Sequence, residues 1–134
     1  MTVGLLIISH NKIGDELLAT ATATLGICPL LTEALRVSSD ADLDALREQA
    51  WRLVTRLDQG AGVLVLTDMF GSTPSNIAYQ LLERPGVRVV TGINLPMMLR
   101  VLNYPQLQLD ALAQKAVSGG RDGIVDCHHP SVRT

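Results

Sequence analysis

Two short apolar runs, each followed at once by a helical pattern, constrain this chain more than any other feature. The first, Val3-Gly4-Leu5-Leu6-Ile7-Ile8-Ser9, closes on His10 and gives way to residues 12–25, where Ile13, Leu17, Leu18, Ala21 and Leu25 recur on one side. The second, Val63-Leu64-Val65-Leu66-Thr67, ends in Asp68 and passes through Met69-Phe70-Gly71-Ser72-Thr73 into a helix opened by Pro74. Runs this short, with no alternation of polar residues, read as strands buried on both faces. Such strands belong to parallel sheets with helices on each side.

The remaining segments extend that pattern. Gly26 stands where a left-handed cap ends the first helix. Residues 31–37 alternate partially, as a more exposed strand would. Ser38-Ser39-Asp40 offers cap oxygens to a helix carrying Leu43, Leu46, Ala50, Leu53, Val54 and Leu57, which stops at Gly60. A short helix over 74–82 is broken by Pro85-Gly86, a strand spans 87–92, and Pro96 suits the first turn of a helix reaching about residue 102. A last helix is expected over 110–117, before Gly119-Gly120, and Gly123-Ile124-Val125-Asp126-Cys127 reads as a short closing strand. Alternation of strands and helices predicts an α/β fold with a doubly wound, mainly parallel sheet of order 2-1-3-4. It forms one domain over 1–127, with a loose tail over 128–134.

Composition narrows the partners. The 134 residues are 47% apolar but only 3% aromatic, so the core is built from Leu, Val, Ile and Ala and is large enough to need no staple. A net charge of −2 without any basic block argues against nucleic acid or an anionic membrane surface as the main partner. No run approaches the length of a membrane span, and the N-terminus lacks the basic start of a signal peptide, which together predict a cytoplasmic domain. Cys28 and Cys127 lack metal-type spacing and are expected to be free thiols. His128-His129 reads as a solvated pair rather than a metal site, and Trp51 as a core or interface residue of the second helix.

Chemistry is expected at the carboxyl ends of the strands, where open α/β sheets collect their ligands. If strands one and three are neighbours, about 4.8 Å apart, His10 and Asp68 can touch despite their separation in sequence. An aspartate accepting the Nδ1 proton would fix the imidazole tautomer, leave Nε2 as nucleophile and stabilise positive charge on the ring. Gly71-Ser72-Thr73 leads into a helix, so backbone N–H groups can face an anion there. Oriented donors suit a phosphoryl group, whose transfer depends on positioning and charge stabilisation. Each residue also has an ordinary role: a histidine closing a strand, an aspartate capping a turn, a serine or threonine capping a helix. Their placement together carries the functional reading.

Four segments, Ile7-Ile8-Ser9-His10, Thr67-Asp68-Met69-Phe70-Gly71-Ser72-Thr73-Pro74-Ser75-Asn76, Gly92-Ile93-Asn94-Leu95-Pro96-Met97 and Gly119-Gly120-Arg121-Asp122-Gly123-Ile124, occur in this order along nearly the whole chain. In these the chain resembles the IIA domain of the mannose/fructose/sorbose family of the bacterial sugar phosphotransferase system. The resemblance implies a phosphotransferase in which His10 accepts a phosphoryl group on Nε2 from the phosphocarrier protein HPr and passes it to a IIB protein for sugar uptake. It implies that Asp68 orients the ring and that Gly71, Ser72 and Thr73 lie beside the phosphoryl group, with no metal and no cofactor. It also implies a homodimer in which a C-terminal strand containing Ile124-Val125 crosses to the other subunit and packs antiparallel at the sheet edge. Any membrane association would then be indirect, through a permease complex. Met69 and Phe70 are candidates for partner docking, as apolar residues beside the reacting histidine.

Two positions depart from the family pattern: Asn11 stands where glycine is common, and Ser72 where a second loop glycine is common. Asparagine tolerates positive φ better than most residues. Ser72 at negative φ would keep its amide toward the phosphate and add a hydroxyl. No IIB domain follows within the chain, so the expected acceptor is a separate protein, or the module is a stand-alone regulatory IIA protein acting on another target. A receiver-type domain would need an acidic pair after the first strand, where Ser9-His10 stands. A hydrolase using Ser72 would need a Gly-x-Ser-x-Gly elbow, whereas Gly71-Ser72-Thr73-Pro74-Ser75 lacks the second glycine and its serine precedes a proline-opened helix. A non-catalytic scaffold of the same fold is the remaining alternative.

Overall fold

The computed structural model describes residues 1–130, within which four strands form one parallel sheet of order β2-β1-β3-β4. The strands are β1 (Gly4–His10), β2 (Thr32–Val37), β3 (Val63–Thr67) and β4 (Val87–Thr91). Five helices connect and cover them: α1 (Ile13–Leu25), α2 (Leu43–Leu57), α3 (Thr73–Gln80), α4 (Leu95–Leu102) and α5 (Leu109–Asp122). A 3₁₀ turn over Leu81–Glu83 extends α3. The doubly wound order expected from the alternating pattern is the one formed.

Both faces of the sheet are sealed, which explains why β1 and β3 are apolar throughout. Leu5, Ile7, Leu64 and Leu66 face Ala21 of α1, Met97, Met98 and Val101 of α4, and Leu112, Ala113 and Ala116 of α5. Leu6, Ile8, Val63 and Val65 face Leu46, Ala50, Leu53 and Val54 of α2 and Ile77 and Ala78 of α3. β1 pairs with β3 from Gly4↔Val63 to Ile8↔Thr67. His10 and Asp68 therefore emerge side by side at the carboxyl edge.

Three expectations are corrected. The cap of α2 is Asp42, whose Oδ1 accepts from the amides of Asp44 and Ala45, while Ser38 donates to Asp40 in a separate turn before the helix. α5 does not stop before Gly119-Gly120 but runs through them to Asp122. The reason is close packing on α4: a Cβ on Gly119 would lie 2.5 Å from Arg100 Cβ, and one on Gly120 would lie 2.9 Å from the terminal methyl of Met97. The pair gives up about 1 kcal/mol of helix propensity per glycine to let the two helices meet. Finally, residues 123–127 form no strand within the single chain: α5 is followed by exposed, unladdered chain. Of the tail expected over 128–134, residues 131–134 lie outside the described residues.

The turn between α2 and β3 is organised by one carboxylate. Asp58 Oδ1 accepts from the amides of Gly60 at 2.9 Å and Gly62 at 3.1 Å, and Oδ2 meets Arg84 at 3.4 Å. The Gly60 amide foremost, then that of Gly62 and Arg84, hold the Asp58 carboxyl below its ordinary 3.8 against the opposing effect of burial. A carboxyl depressed in the folded state contributes stability above its unfolded pKa and loses it as pH falls through the folded value. Asp58→Ala is expected to cost about 1–3 kcal/mol near neutral pH. Urea unfolding should show that difference shrinking as pH falls below 3.8; a difference independent of pH would show that the charge is not involved.

Candidate functional site

The last residue of β1 is His10, and the backbone turns sharply after it. Asn11 adopts φ 49 and donates its N–H to the Val37 carbonyl of β2 at 3.0 Å. Asparagine thus occupies the left-handed conformation that glycine would take, so the first departure is accommodated without changing the turn. Beneath it, Ser9 Oγ accepts from the Gly14 N–H at 2.8 Å. The Lys12 side chain caps nothing, so this buried hydroxyl satisfies an early amide of α1 in its place.

His10 and Asp68 meet as expected, through two hydrogen bonds to one oxygen. Asp68 Oδ2 lies 2.8 Å from His10 Nδ1 and also accepts the His10 backbone N–H at 3.1 Å. A carboxylate only accepts, so Nδ1 carries the proton and, in the neutral ring, Nε2 keeps its lone pair. The His10 side chain is 39% exposed and that of Asp68 only 11%. The nucleophile is therefore reachable while its counter-charge is shielded from water. Asp68 Oδ1 and the Thr67 hydroxyl are buried without a hydrogen-bond partner among the described residues. The carboxylate is thus held by His10 alone, and its charge is directed at the imidazole rather than divided among other donors.

The loop after Asp68 turns at Gly71, which has φ 82, a conformation that costs glycine little and other residues more. Ser72 has φ −86 and ψ 172, so the second departure leaves ordinary extended backbone. Both of its donors are directed at the loop's own backbone. The Ser72 hydroxyl donates to the Met69 carbonyl at 2.6 Å and its amide is directed to the same oxygen at 3.3 Å. Ser72 therefore shapes the turn rather than presenting two donors to an anion, and its hydroxyl is not on His10 as a serine nucleophile's would be. Thr73 opens α3, whose first amides have no partner within the helix. Met69 and Phe70 are displayed as expected, Phe70 being 83% exposed. Arg36, on the neighbouring strand end, is claimed by Asp15 through Nε at 3.0 Å and Nη2 at 2.8 Å, which holds its guanidinium still further in the charged range.

Two features escaped sequence reasoning. The His10 backbone bond to Asp68 has no sequence signature, because it depends on strand register. Asn94 caps α4 by accepting from the Met97 amide at 2.9 Å and donates to the Gly120 carbonyl at 3.0 Å. Its position, an asparagine two residues before Pro96, was a readable cap signal.

Comparison with known proteins agrees with this geometry. The sequence model described as PTS system fructose IIA component matches residues 4–117. The mannose-specific EIIAB component of the phosphotransferase system of Escherichia coli K12 is 29% identical over 127 residues, covering 92% of this chain but 39% of that protein. The chain thus spans about two fifths of the length of the curated relatives it matches. Among solved structures, the mannose/sorbose-specific IIA subunit of Enterococcus faecalis superposes with a TM-score of 0.85 at 24% identity, covering 99% of this chain and 100% of that one. A IIA protein associated with the fucose utilization operon of Streptococcus pneumoniae gives a TM-score of 0.81 at 22% identity, with 94% and 93% covered. These structural matches establish the fold, and the sequence match establishes the lineage. The chain belongs to the EIIA-man family, the fructose IIA components of the sugar phosphotransferase system.

Proposed function

We propose that this protein is a phosphoryl carrier, receiving the group on His10 Nε2 from phosphorylated HPr and handing it to a IIB protein. The observation that carries this reading is the 2.8 Å contact between His10 Nδ1 and Asp68, within a chain of this family. In the first step the Nε2 lone pair attacks phosphorus, the bond to the donor histidine breaks, and the Nε2–P bond forms. Nδ1 keeps its proton throughout, and the positive ring of the phosphohistidine rests against the Asp68 carboxylate. In the second step Nε2–P breaks as the acceptor's nucleophile bonds to phosphorus. Gly71 and Thr73 supply the loop amides nearest in character to an anion cradle, with Ser72 holding the turn. Met69 and Phe70 give the incoming protein an apolar surface beside the reacting nitrogen. Residues 1–127 act as one carrier domain.

Incubation of the protein with phosphorylated HPr, read by intact mass, is expected to add one phosphoryl group that is acid-labile and base-stable. No incorporation would reject the reading. A labelled protein that passes the group to no IIB protein would favour the regulatory form of the same chemistry.

The second copy belongs to this reading. β4 is an edge strand, with a groove on each side. One is lined by Phe70, Tyr79, Leu82 and Val89, the other by Arg88, Val90, Met97 and Ile124. Ile124 and Val125 are exposed just after α5. An edge strand accepts another strand readily, and segment 123–127 of a second copy, added antiparallel, would send alternate side chains into the two grooves. Removal of residues from Gly123 onward is expected to turn a sedimenting dimer into a monomer. A truncated protein that sediments like the full chain would contradict strand exchange.

A further inference from the structure

The segment Gly92-Ile93-Asn94-Leu95-Pro96-Met97 contributes nothing directly to the His10–Asp68 contact, yet it backs both halves of that pair. Ile93 donates its N–H to the Thr67 carbonyl at 2.9 Å, one residue before Asp68. Leu95 lines an apolar groove with Lys12, Ile13 and Leu17, the start of α1 just after His10. Between them, Asn94 is held on two sides, by the Met97 amide on Oδ1 and by the Gly120 carbonyl on Nδ2. The far end of that clamp lies inside the helical layer, where Gly120 is buried in α5 and packs against Met97.

We propose that Asn94 is a positioning residue for the phosphoryl-transfer pair, fixing residues 93–95 so that the end of β3 presents Asp68 to His10 Nδ1. The inference rests on the carrier reading for its purpose, but not for its geometry. A hydrogen bond of 2.8 Å weakens steeply with small displacements, and among the described residues only His10, through its ring and backbone N–H, holds the Asp68 carboxylate. The backbone bond from Ile93 braces the residue before Asp68, and the Asn94 side chain ties that brace to both α4 and α5.

The test is made on the full chain without any phosphoryl donor. The imidazole of His10, labelled with ¹⁵N, is observed at a pH high enough that its spectrum no longer changes with pH, and the ratio of Nδ1–H to Nε2–H tautomers is measured. Wild type is expected to hold the Nδ1–H form. Asn94→Ala is expected to lower that ratio about two- to thirtyfold, at temperatures well below its melting point. Asn94→Ser keeps an acceptor for the Met97 amide but is too short to reach Gly120, so it should retain most of the stability and still lower the ratio. Phosphoryl uptake from phosphorylated HPr should fall by a similar factor in both variants. A wild-type tautomer ratio in a folded Asn94→Ala protein would overturn the proposal; should that variant not fold, a wild-type ratio in Asn94→Ser would do so. Absence of uptake in wild type would instead reject the carrier reading, and the tautomer ratios would still decide the role of Asn94.

Discussion

Alanine at position 10 is expected to abolish phosphoryl uptake entirely, in a protein that still folds. Transfer needs a nitrogen lone pair aimed outward, and the geometry provides one at Nε2 of His10 by committing Nδ1 to Asp68 at 2.8 Å. No neighbouring group substitutes for it: Ser72 spends its hydroxyl on Met69, and Ser9 is buried beneath the strand end and accepts from Gly14. The His10 side chain is 39% exposed, so its removal opens no core cavity, and the backbone N–H bond to Asp68 survives truncation. Truncation does leave the buried Asp68 carboxylate short of the ring donor, a loss of about 1–3 kcal/mol. Intact mass after incubation with phosphorylated HPr should therefore show an unmodified protein that still melts cooperatively. Persistent labelling of the alanine variant would place the phosphoryl group elsewhere and end the assignment.

Asp68→Asn is expected to slow uptake on the order of 10²-fold while leaving the fold intact. The two hydrogen bonds to a single oxygen decide which loss dominates. His10 presents both its ring N–H and its backbone N–H to Asp68 Oδ2. An amide that turned its nitrogen toward them would set donor against donor, so the asparagine oxygen stays in place. The tautomer then survives, and what disappears is the negative charge beside a ring that becomes positive as phosphorus bonds to Nε2. Because Asp68 is only 11% exposed, water screens that charge poorly and its loss is felt in the rate. Stopped transfer assays compare the two proteins under identical donor concentration. Equal rates would show that Asp68 orients the ring without stabilising it electrostatically.

Much of this arrangement was legible in the residues. The apolar runs of β1 and β3 announced buried parallel strands because nothing polar interrupts them. Gly26 marked the left-handed end of α1, where it has φ 81. Asn11 was recognisable as a residue able to replace glycine in a left-handed turn. Other features were hidden for identifiable reasons. Gly119-Gly120 looked like a helix stop, since glycine disfavours helices, and only the approach of Arg100 and Met97 explains why the helix continues. Ser72 looked like an anion ligand, since a hydroxyl near a helix start usually serves as one. The path of the loop instead points it back at Met69.

The sequence by itself determined the four strands of the sheet, which ends of them carry an imidazole and a carboxylate, and the lineage to which the chain belongs. These follow from local periodicity and residue chemistry, which each segment carries wherever it is placed. Only the tertiary structure decided that one carboxylate oxygen grips both the ring and the backbone of His10, that Ser72 turns inward, and that Asn94 clamps the segment behind the pair. Those depend on the pairing of Ile8 with Thr67 across two strands and on distances of a few tenths of an ångström between groups remote along the chain, which no local pattern encodes.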